Sequence, residues 1–108
     1  MKSMNFAPFF NVPYADADCR ALARRVLAAH GIAMPDTPQD AKAAGWRPVA
    51  RPRPLDLVMF DTPEGKHVGV VVARGQFLHA DKNLGRSCVE RLSDPEWTAQ
   101  LEGFYRAG

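Results

Sequence analysis

Between His67 and Ala80 apolar and polar positions alternate. Val68, Val70 and Val72 fall on one side and His67, Gly69 and Val71 on the other, with β-branched residues in the majority, the pattern of a half-buried strand. Arg74-Gly75 interrupts the run and Phe77-Leu78-His79-Ala80 resumes it, which predicts a β-hairpin. Loop length then decides which residues face each other. A two-residue loop pairs Ala73 with Gln76 and sets His79 opposite Val70, on the face away from His67. A three-residue loop from Ala73 to Gly75 pairs Val72 with Gln76 and sets His79 opposite Gly69, one diagonal step of about 7–8 Å from His67. Gly75 suits the left-handed residue that ends such loops, so the three-residue loop is expected, with Gly69 leaving open space between the two imidazoles.

A different period runs upstream. Cys19, Leu22, Ala23, Val26 and Ala29/His30 recur at helical spacing, while Arg20, Arg24 and Arg25 turn away. Asp16 or Asp18 can cap this helix and Gly31 ends it. Before it, Phe6, Phe9, Phe10 and Tyr14 lie between Pro8 and Pro13, as in an arm that packs aromatics on the body. Pro35 to Pro54 reads as a loop with a short helical piece at Pro38–Ala44. Leu57–Phe60 is a strand, Asp61–Lys66 a turn, Ser87–Leu92 a further strand, Asp94-Pro95 the start of a short helix or turn, and Phe104–Arg106 a last strand. The helix comes first and an antiparallel sheet follows, an α+β order.

The 108 residues are expected to form one domain, 1–108, large enough to bury a core. No apolar run approaches the 18 residues of a membrane span, and the stretch from Met1 to Val12, broken by Asn5 and Pro8, does not read as a signal peptide. Synthesis in the cytoplasm is expected, with exit by lysis, a dedicated machine or a particle. A net charge of +2, densest at Arg47–Arg53 among prolines, lacks the broad basic face with interleaved aromatics that nucleic acid requires. Two cysteines and three scattered histidines lack the paired spacing of a zinc site. No metal and no cofactor are expected.

Cys19 occupies the first helical turn, where the macrodipole and unpaired N–H groups favour a thiolate. An adjacent imidazolium lowers the thiol further and makes the pair a competent acyl-transfer nucleophile. His67 is the candidate partner and His79 the group that orients it, and the helix N-terminus can donate to an oxyanion. Cys88, mid-strand with no histidine beside it in sequence, reads as a core or surface thiol. His30, in the last helical turn, complements the dipole and is assigned no chemistry. Metal binding by Cys19, His67 and His79 has no ligand spacing in its favour.

Asp18-Cys19, Pro54-Leu55-Asp56-Leu57-Val58, His67-Val68-Gly69-Val70-Val71 and Phe77-Leu78-His79-Ala80 together resemble the NlpC-type family of papain-like cysteine peptidases, bacterial and phage cell-wall endopeptidases. The resemblance runs from about Tyr14 to the C-terminus. It implies a papain-like α+β fold with the cysteine helix against a small antiparallel sheet. It also implies hydrolysis of peptidoglycan stem peptides, usually between D-γ-glutamate and diaminopimelate. By motif position Cys19 is the nucleophile, His67 the general base and His79 the orienting residue, with Tyr14, Asp18 and Arg20 near the substrate. Tyr14, Asp18-Cys19, Gly31-Ile32, Pro35 and the ending Gly103-Phe104-Tyr105-Arg106 resemble the phage-tail branch, whose partners are tail proteins. Three positions depart from the family pattern, Ala21 standing where a glycine is usual. Arg20 replaces a small residue and would narrow the cleft, and Leu55 replaces the glycine of a Pro-Gly-Asp turn, which tests whether that turn needs positive φ. The alternatives are a catalytically silent tail component and a secreted anti-bacterial amidase effector of the same fold.

Overall fold

The computed structural model describes residues 4–108, so the N-terminal leader reading falls partly outside the described residues. After one 3-10 turn at Ala7–Phe9 the chain forms α1 (Cys19–Ala29), α2 (Pro38–Ala43), β1 (Arg47–Val49), β2 (Leu57–Thr62), β3 (Gly65–Ala73), β4 (Gln76–Asp81), β5 (Arg86–Arg91), α3 (Pro95–Gln100) and β6 (Leu101–Arg106). The six strands make one antiparallel sheet in the order β1-β6-β2-β3-β4-β5. This is the expected α+β architecture, a helix packed on an antiparallel sheet. Among the described residues no helix is long and apolar enough to cross a membrane.

Of the two capping candidates Asp18 is used: its side chain accepts a hydrogen bond of 2.9 Å from the Ala21 N–H, one of the donors a helix start leaves without an internal partner. The buried stripe of α1 is Leu22, Ala23, Val26 and Leu27. Leu27 takes the place expected for Ala29, which is exposed, because a core-facing stripe spans more than the narrow i, i+3, i+4 rows. This stripe packs on Val68, Val70, Leu57, Leu78 and Ala80, and Phe6, Phe9, Val12 and Tyr14 of the N-terminal arm close its rim. The opposite face of the sheet buries Val58, Phe60, Val71 and Phe77 under Leu92, Trp97 and Phe104. The sheet is therefore covered on both sides, by α1 and by α3.

Two expectations are corrected at the edges. Arg47–Val49, read as loop, is a short edge strand paired with β6. Its alternation is masked by Pro48, a residue that a sheet tolerates at an edge because it has no N–H to donate. The Asp61–Lys66 turn is tighter than expected: Asp61 pairs with Lys66 and Thr62 with Gly65, leaving Pro63-Glu64 at the tip. At the far edge, β5 is shielded by the arm, with Ser87 N–H donating to Val12 C=O and Tyr14 N–H to Gly85 C=O, which blunts an otherwise free strand edge.

The hairpin itself reconciles the two loop readings. Ala73 pairs with Gln76, so the loop is the two-residue Arg74-Gly75, not the three-residue one expected. A bulge between Val71 and Ala73 then absorbs one residue, so that Val71 pairs with Phe77 and Val70 with Leu78. This slip of one residue flips the facing and brings His79 level with Gly69 after all. The space at Gly69 is not open, however: a Cβ there would lie 2.9 Å from the Phe77 ring and 3.1 Å from the Leu78 carbonyl. Gly69 is a point of close approach, where the Phe77 side chain comes up against the strand.

Leu55 adopts φ +76°, so the turn does require the left-handed region where the family pattern has glycine. Its N–H donates to Val71 C=O at 2.8 Å, and next to it buried Asp56 accepts from both Arg106 Nε and Nη2 and from Arg53 N–H. Those contacts hold a β-carbon-bearing residue in a conformation that costs about 1–2 kcal/mol. Leu55→Gly and Leu55→Ala delete the same packing, but only glycine relieves the strain. Denaturant melts should therefore place Leu55→Gly about 1 kcal/mol above Leu55→Ala in stability. Equal stabilities would mean that the turn stores no strain.

Candidate active site

Cys19 is the first residue of α1, half-buried against the α1-side core. His67 sits near the start of β3, opposite Phe60 of β2. The hairpin brings the two histidines together on the α3 side of the sheet. Nε2 of His67 and Nδ1 of His79 are 2.8 Å apart, with the rings perpendicular at 89°. On its far side, His79 Nε2 bonds the Glu90 carboxylate of β5. Trp97 of α3 lies over His67 with ring centroids 5.6 Å apart and planes at 22°, and meets His79 edge-on at 80°. Phe77 supports His79 from 4.9 Å.

With Nε2 of His67 committed to His79, Nδ1 is the ring nitrogen left for another partner. Cys19 and His67 line the same open cleft, of about 680 Å³, together with Arg20, Trp46, Lys66 and Tyr105. The cleft wraps round the start of β3, taking Cys19 and Val68 from the α1 side as well as His67. No hydrogen bond joins the thiol to the ring among the described residues.

Burial, then repulsion from His79, pushes His67 down from 6.5 to about 4, and burial also lowers His79. Both rings are thus neutral near pH 7. The imidazolium expected to draw down the thiol is not the resting form of His67, which instead is a neutral acceptor. The consequence for stability has a definite sign. Between about pH 4 and 6.5 the unfolded chain binds a proton at His67 that the folded chain does not, so stability rises with pH through that window and is lost as pH falls. Thermal melts should therefore decline from pH 6.5 to 5 in the wild type and decline less in His67→Gln. Parallel pH curves would refute the depressed value.

The other expected site residues fall into place differently. Arg20 lines the cleft, and its guanidinium donates to the backbone carbonyl of Asp36 on the cleft wall, while Arg24 pairs with the Asp36 carboxylate. Asp18 spends its carboxylate on the helix cap and Tyr14 packs in the α1-side core; neither lines the cleft. Burial first, then the charges of Cys19 and Asp18, raises Tyr14 above the ordinary phenol range, keeping it a protonated neighbour of the nucleophile candidate. His30 bonds the Val26 carbonyl through Nδ1 and contacts Phe6.

Three participants escaped the sequence. Glu90 and Trp97 come from β5 and α3, and nothing in their local sequence marks them. Cys88, which has no histidine beside it in sequence and reads as a core or surface thiol, pairs directly with His79 across the strands, its sulfur 3.7 Å from Nε2. Burial followed by the charge of Glu90 pushes this thiol up to about 11, so it stays protonated. Ligand-type atoms of His79, Asp81, Cys88 and Glu90 all lie within 4.8 Å of one another. This group differs from Cys19, His67 and His79, the three residues of metal-ligating type that the sequence suggests. In it the Glu90 carboxylate already occupies His79 Nε2, and the sulfur is held as a thiol where a metal needs thiolate.

Residues 10–106 match the NlpC/P60 family. The chain belongs to that family. Over 91 residues this NlpC/P60 chain is 33% identical to the probable endopeptidase p60 of Listeria monocytogenes, covering 82% of the chain but 18% of that protein; the Listeria seeligeri counterpart is 34% identical over 92 residues. It thus spans less than a fifth of the length of these curated relatives. Among solved structures, an NLP/P60 family protein from Staphylococcus aureus superposes with a TM-score of 0.73 at 23% identity, covering 93% of this chain and 38% of that one. The peptidoglycan hydrolase RipB of Mycobacterium tuberculosis superposes with a TM-score of 0.59 at 27% identity, covering 82% and 43%. The shared architecture is the helix on an antiparallel sheet described above.

Proposed function

We propose that this NlpC/P60 domain is a cysteine endopeptidase that hydrolyses peptidoglycan stem peptides, at the bond between D-γ-glutamate and diaminopimelate. The observation that carries the reading is that His67, hydrogen-bonded to His79, lines the same cleft as a cysteine at a helix N-terminus. Similarity to a protein named as a probable endopeptidase and to one named as a peptidoglycan hydrolase supports it.

In the proposed reaction substrate lies in the cleft with its scissile carbonyl against Cys19. His67 Nδ1 takes the thiol proton as sulfur attacks the carbonyl carbon. The oxyanion that forms meets the first N–H groups of α1, those of Cys19 and Arg20, which have no partner inside the helix. His67 then returns the proton to the leaving amine, and a thioester remains on Cys19. Water, deprotonated by His67, attacks the thioester, and the acid product leaves with the thiol restored. His79 orients His67 throughout. Arg20, held at the cleft wall, presents a positive charge that suits the carboxylates of stem peptides.

The site of action is proposed to be the cell wall, reached as part of a larger protein or a phage tail. Digestion of diaminopimelate-type peptidoglycan followed by mass spectrometry tests the substrate reading. Peptides with a newly exposed diaminopimelate amine are expected, and soluble products cut only at another bond would overturn the assignment. Co-purification with virions tests delivery by a tail, which their absence from purified particles would reject.

A further inference from the structure

Among the described residues Glu90 is the acidic side chain hydrogen-bonded to the histidine pair, and the proposed chemistry so far gives it no part. We infer that Glu90 is a positioning residue that fixes the tautomers of both histidines and so leaves the lone pair of His67 Nδ1 open toward the cleft. The catalytic consequence rests on the cysteine-peptidase reading, whereas the tautomer assignment stands on two hydrogen bonds.

A carboxylate only accepts. His79 Nε2 must therefore carry the proton in its bond to Glu90. A neutral imidazole has one N–H, so His79 Nδ1 is an acceptor and the donor in the next bond is His67 Nε2–H. Neutral His67 then has its lone pair at Nδ1, the nitrogen the reaction uses. One choice at Glu90 propagates through two rings.

The alternative is built into the same spot. With Glu90 in place His79 is 1% exposed, and the other side chain beside Nε2 is Cys88, with its sulfur 3.7 Å away. A thiol is a weak donor. Without Glu90 it would donate to Nε2, place the proton of His79 on Nδ1, turn His67 Nε2 into the acceptor and put the His67 proton on Nδ1. That tautomer cannot take the proton of Cys19. When His67 becomes cationic during attack, the Glu90 charge relayed through His79 also stabilises it, and the proton stays on His67 as in other triads.

The test is nitrogen-15 NMR of the histidine rings in the full chain near neutral pH, with Glu90→Ala and Glu90→Gln. In the wild type His67 and His79 should both be protonated at Nε2. In Glu90→Ala His67 should shift toward protonation at Nδ1. Glu90→Gln, whose amide can donate as well as accept, keeps the fold if alanine does not and should give a mixture. For hydrolysis, kcat should fall at least about tenfold in Glu90→Ala with KM little changed, a loss confined to the reacting state. Wild-type His67 protonated at Nδ1, or tautomers unchanged in both variants, would overturn the inference even in an active enzyme. A chain without hydrolytic activity would defeat the peptidase reading and leave the ring assignment to stand or fall by the spectra.

Discussion

Replacing Cys19 by alanine is expected to reduce kcat/KM for stem-peptide hydrolysis by at least about a hundredfold, and His67→Ala should do much the same, since one removes the nucleophile and the other its base. The two act as a unit in the proposed reaction. Once sulfur is gone there is no proton for His67 to accept, so the double variant should be no slower than the worse single one. The position of Cys19 at the first turn of α1 makes the prediction specific, because Cys19 and Arg20, whose N–H groups have no partner inside the helix, both line the cleft. Additive losses in the double variant would mean that the two residues work independently. Retained activity in Cys19→Ala would end the cysteine-peptidase reading.

The second large effect concerns stability. Phe77 is fully buried, lies 5.0 Å from Phe60 and 5.4 Å from Trp97, and comes up against Gly69. It is the centre of the α3-side core and the support beneath His79. Phe77→Ala should cost about 3–5 kcal/mol, through lost transfer energy and a cavity that surrounding strands cannot close. A small domain has only about 5–15 kcal/mol in total. Urea unfolding should register this as a lower midpoint at constant slope. Phe77→Leu, which keeps most of the volume, should lose far less. A loss below about 1 kcal/mol in Phe77→Ala would show that the histidine pair is held from elsewhere.

Local signals in the sequence were enough for α1, whose Asp18 cap, arginine face and glycine stop all lie within fourteen residues of one another. They were also enough for the start of β2, the presence of the hairpin and the last three residues of β6, while at Asp94-Pro95 they left helix and turn both open. The convergence of His67 and His79 was legible for a partly wrong reason. Alternation and a loop predicted it, but the loop is one residue shorter, and a bulge at Val72, which no periodicity announces, restores the facing. β1 was hidden because three residues with a central proline carry no usable period. Glu90, Trp97 and the nearness of Cys88 to His79 were hidden for a different reason. They depend on the register of β5 against β4 and on which face α3 covers, and both are settled by packing between elements distant in the chain. Leu55 was legible as an anomaly, and the turn keeps the left-handed backbone without the residue that makes it cheap.

Competitive alkylation tests most directly the claim that Cys19 is the working thiol and Cys88 an inert companion of His79. Iodoacetamide is applied near neutral pH, modification is mapped by peptide mass spectrometry, and hydrolysis is followed in the same samples. Activity should disappear in step with alkylation of Cys19 while Cys88, half-buried and held as a thiol with its pKa pushed up to about 11, lags behind. Activity that survives complete alkylation of Cys19, or that tracks Cys88 instead, would contradict it.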